Sequence, residues 1–164
     1  MKHLLALLLI GLLAMSACQK AVDTTETKAM LQSMIDEVWN QGALDKADEF
    51  CAADYIRHNP KSMEPTVPSE IHGLEEFKAY VTEVRTTYPD FKVDVQDIVV
   101  EGDMVAVRWT VSGTHKDYDK QISLDGISLM RFAEGKAAEE WASWDVHGLM
   151  QQLGMVPQQE TTMK

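Results

Sequence analysis

The chain has 164 residues, with 15 Lys or Arg, 26 Asp or Glu and a formal net charge of −11. A chain of this length folds as one domain with enough residues for its own core. Its acidity argues against nucleic acid, and against an anionic bilayer surface, as a direct partner.

The first residues have the pattern of a secretory signal. Lys2 precedes an apolar run from Leu4 to Leu13, which is the order found in signal sequences. The run is shorter than the roughly 20 residues that cross a bilayer. Small residues then lead to Ala17 and Cys18, and this end resembles the bacterial lipobox. The alternative is an ordinary signal that happens to end at a cysteine.

The lipobox resemblance implies a protein of the bacterial cell envelope. Residues 1–17 are then removed, Cys18 carries the lipid, and residues 18–27 form a tether. An Asp after the lipidated cysteine commonly retains Gram-negative lipoproteins in the inner membrane, whereas this chain has Gln19. We therefore expect the periplasmic face of the outer membrane. Without Lys2, 14 basic and 26 acidic side chains give a mature charge of −12.

Cysteine and histidine spacing limits the chemistry. After Cys18 the only other cysteine is Cys51, so an internal disulfide is not expected. No Cys-x-x-Cys or His-x-x-x-His spacing occurs. The sequence therefore supports neither a metal site nor a cofactor.

The first half of the domain, which we place at residues 28–156, has a helical pattern. Asp23 and Glu26 have capping-box spacing, and apolar residues follow at four-residue intervals before Gly42. A short second helix is expected near 44–51 and a third over about 74–88. Residues 59–72 contain three prolines and are expected to form an irregular loop.

After Asp90 the hydrophobic period changes to two, which predicts antiparallel strands. The first strand follows Asp90 and breaks step at 98–100, as a bulge would. Three more strands are expected near 105–115, 121–132 and 137–145, followed by a short helix at 146–153 and a polar tail at 157–164. Helices first and strands after is the α+β pattern.

An ordered set of short motifs resembles the SnoaL-like polyketide cyclases and related ester cyclases of the nuclear transport factor two-like superfamily. The motifs are Val38-Trp39-Asn40, Tyr55-Ile56-Arg57-His58-Asn59-Pro60, Tyr88-Pro89-Asp90, the run 101–109, Ser112-Gly113-Thr114-His115, Arg131-Phe132, Glu139-Glu140-Trp141 and the run 149–154. The resemblance implies a cone-shaped, cystatin-like α+β fold in which N-terminal helices pack on a curved antiparallel sheet. The connection 116–120 is shorter than in the family and the loop after His58 is longer, so no particular substrate is implied.

The resemblance also implies a deep pocket between the sheet and the helices. An Asp on the last strand is the proposed acid/base in this branch, and Asp145 matches it. His115 and His58 are the other catalytic candidates. The expected pocket residues are Arg131, Trp141, Trp109, Trp39 and Glu139. In the last strand Glu139, Trp141, Ser143 and Asp145 share parity and therefore one face of the sheet.

Each candidate has a structural alternative. Asp145 would cap the C-terminal helix, and His58 would hold the following loop. His115 would be a solvated strand end, and Arg131 would pair with Glu139 or Asp145. The tryptophans would belong to the core.

Two classes of function follow. The first is a metal-free acid/base cyclase or isomerase acting on a hydrophobic carbonyl compound, since a carboxylate in an apolar pocket becomes a usable base. The second is a non-catalytic ligand-binding lipoprotein of the same fold. In both, the partner is a hydrophobic small molecule and a homodimer through the open sheet face is expected.

We predict that Cys18 is acylated, because the apolar run ends in small residues directly before it. Mass spectrometry of the mature N-terminus should find lipid on Cys18. Cys18→Ser should move the protein from the detergent phase to the aqueous phase. An unmodified N-terminus at another residue would contradict the prediction.

Overall fold

The computed structural model describes residues 24–61 and 67–156. The signal segment, Cys18, most of the expected tether and the polar tail lie outside these ranges, so their predicted roles stay predictions. In the described ranges no helix has the length and apolar character needed to cross a bilayer.

The described residues form helices on one side of a six-stranded sheet. The helices are α1 (Thr24–Met34), α2 (Ala47–Phe50), α3 (Gly73–Thr87) and α4 (Val146–Leu153). The strands are β1 (Cys51–His58), β2 (Glu70–His72), β3 (Lys92–Glu101), β4 (Met104–His115), β5 (Lys120–Ala133) and β6 (Lys136–Trp144). A π-helical turn, Ile35–Asn40, extends α1, and a 3-10 turn, Leu44–Lys46, precedes α2.

The sheet is curved and mixed, with the strand order β2-β1-β6-β5-β4-β3. Strands β1 and β6 are parallel, and every other neighbouring pair is antiparallel. The predicted α+β class is confirmed. The parallel pair places β1, which follows the first helices, beside the last strand at the centre of the sheet.

Two strands arise where sequence analysis predicted none. Strand β1 begins at Cys51, the end of the expected second helix, and ends directly before the expected loop, and β2 lies inside that loop. Their partners are distant in sequence: Ile56 pairs with His72 in β2 and with Glu139 in β6. The first bulge was also misplaced, since β3 shifts register between Val95 and Asp97 rather than at 98–100.

The core lies between the helices and the inner face of the sheet. Leu31, Val38, Phe77 and Val81 of the helical layer pack on inner-face residues that include Val105, Val107 and Met130. All seven are almost fully buried. This burial of apolar surface is the main stabilising contribution to the layer packing.

Two polar side chains hold the end of the π-helical turn in place. Asn40 accepts a bond from the backbone N–H of Val93 at 2.7 Å and donates to its carbonyl at 3.0 Å. Arg85 of α3 donates to the carbonyls of Trp39 and Asn40 at 2.9 and 2.8 Å, which satisfies acceptors left open at a helix end. Trp39 is therefore fixed relative to both layers.

Candidate functional site

A cavity of about 120 Å³ lies between the helical layer and the inner face of the sheet. Its wall is mostly apolar and aromatic, and comes from Leu31, Met34, Ile35, Trp39, Val67, Tyr80, Val84, Tyr88, Phe91, Val93, Val107, Trp109, Val111, Ile122, Leu124, Met130, Trp144 and Leu149. The polar wall residues are Arg57, Glu83, Thr87, Ser128 and Glu140. An apolar wall with few polar groups is typical of small-molecule sites.

A buried ion pair forms the polar end of this cavity. The Nη1 atom of Arg57 lies 2.5 Å from Oε1 of Glu140. The two residues are only 6% and 3% exposed. Burial is the largest effect on Arg57 and disfavours its charge, but the Glu140 carboxylate together with the neighbouring Tyr55 and Tyr80 keeps the pKa of the guanidinium above its ordinary value. Arg57 therefore keeps its charge inside a mostly apolar wall.

Glu140 is held by three donors. Besides Arg57, the Ser128 hydroxyl donates to Oε1 at 2.6 Å and the Tyr55 hydroxyl donates to Oε2. Burial, followed by the nearby Glu140 charge, raises the pKa of Tyr55 well above its ordinary value, so Tyr55 remains a donor. Trp109 in turn donates through Nε1 to the Ser128 oxygen at 3.0 Å. Both carboxylate oxygens are thus occupied.

The guanidinium of Arg57 is held from several sides. Its Nε donates to the Asn59 side chain at 2.8 Å, and its Cζ lies 5.3 Å from the ring centre of Trp39 and 5.9 Å from that of Tyr80. These aromatic faces add cation–π attraction. The contacts to Asn59 and Glu140 use Nε and Nη1, and the guanidinium also interacts with the Tyr55 side chain. Arg57 lines the cavity, so its guanidinium is a charged donor in the cavity wall.

The structure places two of the five predicted pocket residues in the cavity wall and the other three outside it. Trp39 and Trp109 both line the cavity. Trp141 is 39% exposed and lies outside it. The inner residues of β6 include Glu140, Ala142 and Trp144, so the face expected to line the pocket is the outer face.

Three further candidates form a cluster with Trp141 on that outer face. His58 stacks on the Trp141 ring with centres 5.5 Å apart, and its Nε2 lies 3.0 Å from Glu139. Arg131 donates to Glu139 at 3.1 Å. The bonds from His58 and then Arg131 lower the pKa of Glu139 below its ordinary value. The expected Arg131–Glu139 pair exists, on the side of the sheet away from the cavity.

Asp145 and His115 also lie outside the cavity wall. Asp145 is exposed, and its carboxylate accepts the backbone N–H of Gly148 at 2.8 Å as the N-cap of α4. His115 is buried and lies on the inner face of β4. The centre of its ring lies 5.1 Å from that of Tyr88 and 4.4 Å from that of Tyr118. No observation bears on catalysis by these residues or by His58, so their roles stay predictions.

Sequence analysis missed the residues that form the polar end. Arg57 and Glu140 lie within the motifs that carry the family resemblance, but they were not among the predicted site residues. Recognising 51–58 as a strand would have placed Tyr55 and Arg57 on one face.

Cys51 begins the same strand, and burial raises its pKa to about 12, which agrees with an inert thiol. The described residues contain no cluster of three or more His, Cys, Asp or Glu side chains suited to a metal ion.

We predict that Asp145 stabilises α4 as a cap. Asp145→Ala should lower the free energy of unfolding by about 1 kcal/mol, whereas Asp145→Asn, an equally good cap, should change it little. Urea unfolding of the two variants measures the difference. Equal losses of unfolding free energy in the two variants would contradict the capping role of Asp145.

The Asp145→Asn variant also removes a base, so activity within threefold of the parent would contradict the acid/base role of Asp145.

Comparison with known proteins agrees with the fold and the cavity. A family model described as SnoaL-like polyketide cyclase matches residues 29–153. A proposed polyketide cyclase from Acidithiobacillus ferrooxidans is 26% identical, with a TM-score of 0.70 over 82% of this chain and 99% of that one. No curated protein is significantly similar in sequence.

Two further structures extend the comparison. TsrD from Streptomyces laurentii is 24% identical, with a TM-score of 0.70 over 82% of this chain and 99% of its own. AclR, a proposed hydroxylase from Streptomyces galilaeus, is 24% identical, with a TM-score of 0.68 over 84% and 86% of the two chains. These identities establish a shared fold. With the family match over most of its length, this chain belongs to the SnoaL-like polyketide cyclase family.

Proposed function

We propose that this protein binds a hydrophobic small molecule that carries a carbonyl group, with the apolar body in the cavity and the carbonyl oxygen at Arg57. The observation that carries the proposal is the buried polar cluster of Arg57, Glu140 and Ser128 in a mostly apolar cavity wall. In this proposal Nη2 of Arg57 donates to the carbonyl oxygen, while Glu140 balances the charge of the guanidinium. Hydrogen bonds to charged donors are stronger than neutral ones, so this end orients the ligand.

Acid/base catalysis on the bound carbonyl compound, as in a cyclase or isomerase, is the second candidate. It is favoured by one observation: a carboxylate, Glu140, lies in the cavity wall beside the proposed carbonyl site. Because Arg57, Ser128 and Tyr55 occupy both of its oxygens, Glu140 must exchange one of these donors before it can take a proton. The geometry therefore favours binding over proton transfer.

The proposal is tested with methyl 2-naphthyl ketone, a neutral apolar carbonyl compound. It should quench the fluorescence of the cavity tryptophans on binding. Val111→Phe fills part of the cavity and should weaken binding by roughly tenfold or more. Val99→Phe makes the same change at an outer-face residue that is 62% exposed, and should leave binding unchanged. Equal affinities of the two variants would contradict the cavity as the site.

The same ligand separates the two candidates. Its methyl protons lie beside the carbonyl, so a base in the site would speed their exchange with solvent deuterium. Binding without faster exchange, followed by NMR, supports the non-catalytic function. Exchange that Glu140→Gln abolishes supports the acid/base function.

We also propose that the protein acts at the bacterial envelope, held by lipid on Cys18, and as a homodimer. The support for the dimer is an apolar row on the outer face, where Val99, Ala106, Leu129 and Trp141 are successive partners across β3, β4, β5 and β6. Exposed apolar patches commonly mark interaction surfaces, and one patch can pair with itself around a two-fold axis.

Leu129→Lys should dissociate the dimer, because it places a charge in the centre of the apolar row. Tyr118→Lys makes a similar change at the β4–β5 turn and should leave the dimer intact. Sedimentation velocity on the chain from Gln19 onward measures both. The added lysine reduces the net negative charge, so general repulsion cannot explain dissociation. A parent protein that is monomeric at high micromolar concentration would contradict the proposal.

A further inference from the structure

We propose that the cavity accepts uncharged ligands and rejects carboxylates of the same shape, and that Glu140 sets this specificity by neutralising Arg57. The inference rests on the proposed function, because it concerns the same cavity. It names the ligand class more narrowly: a neutral carbonyl compound such as a ketone or an ester, rather than an organic acid.

The charges around the cavity balance without a ligand. Arg57 and Glu140 are the only charged side chains that are both buried and in the described wall, and they are in direct contact. Glu83, the third charged residue in that wall, is exposed and negative. A ligand carboxylate would therefore enter a site whose net charge is already zero inside and negative at Glu83.

The charge of Arg57 cannot balance a ligand anion unless the guanidinium leaves Glu140. The carboxylate of Glu140 would then lose the cationic partner that the described residues give it, and a buried carboxylate without one is strongly unfavourable. Trp39 and Tyr80 flank the guanidinium, and Asn59 holds its Nε, so the group has little freedom to shift. An arginine alone in a pocket typically selects carboxylates; this one is already paired.

A neutral carbonyl oxygen has no such conflict. It can accept a bond from Nη2 while Nη1 stays with Glu140, and the total charge of the site stays at zero. The carbonyl compound also loses less hydration free energy on entering the apolar cavity than an ionised carboxylate does. Affinity for the two ligand types should therefore differ even when their shapes match.

The test uses two nearly isosteric probes, methyl 2-naphthyl ketone and 2-naphthoate, at neutral pH. The parent protein should bind the ketone at least about tenfold more tightly than the naphthoate. Equal or tighter binding of the naphthoate would overturn the inference and leave the proposed cavity function standing. Binding of neither probe would overturn both.

Glu140→Gln should reverse the preference, because it leaves the Arg57 charge for the ligand to balance. The naphthoate should then bind about tenfold more tightly than the ketone. Glu139→Gln removes the same charge from the next residue of β6, on the outer face, and should keep the parental preference. An unchanged preference in Glu140→Gln, or a reversal in Glu139→Gln, would overturn the assignment to Glu140.

Loss of Glu140 also removes a buried ion-pair partner, so thermal stability provides a second readout. The naphthoate should raise the melting temperature of Glu140→Gln more than the ketone does, because the anion replaces the missing charge. The double variant Arg57→Met/Glu140→Gln has no unbalanced charge and should not gain this response. If the double variant responds to naphthoate as strongly as Glu140→Gln, the mechanism is wrong.

Discussion

The contact between Arg57 and Glu140 is the constraint on which the interior depends. Two buried charges are tolerated only because they neutralise each other and their remaining hydrogen-bonding groups are engaged. The pair joins the parallel strands β1 and β6 across the centre of the sheet, and Ser128 ties β5 to it. The aromatic residues Trp39 and Tyr80 tie the helical layer to the same point. Packing and electrostatics together thus fix the position of the Arg57–Glu140 pair in the cavity wall.

The cavity persists because its wall is built from rigid aromatic side chains held by their own contacts. Trp39 packs edge to face on Phe77 at 5.6 Å and on Tyr80 at 6.0 Å. Trp109 is fixed through Ser128, and Gly126 gives its ring room, since a Cβ there would lie 2.1 Å from it. Side chains held in this way cannot collapse inward, so space remains between the layers.

The shared fold narrows the possible functions of this protein but does not identify one. The similar structures include a proposed cyclase and a proposed hydroxylase, and fold alone does not decide between such activities. In this chain the features that support the proposed function are local: an arginine paired with a carboxylate, and donors on both oxygens of that carboxylate. They support the proposed binding of a neutral ligand at Arg57, and the catalytic role of Asp145 stays a prediction.

The sequence by itself determined the α+β class, the helices before Asp90, the four strands after it and the final helix, because each depends on local periodicity or turn chemistry. Only the tertiary structure decided which face of β6 lines the cavity. Ala137 is buried, but β6 carries an extra residue at Ala138, since Arg131 pairs with Glu139 and Phe132 with Ala137. One inserted residue exchanges the two faces of a strand, which turned Glu140 inward and Glu139 and Trp141 outward. Strand β1 likewise depends on pairing with residues about 80 positions away, and no local pattern encodes such a partner.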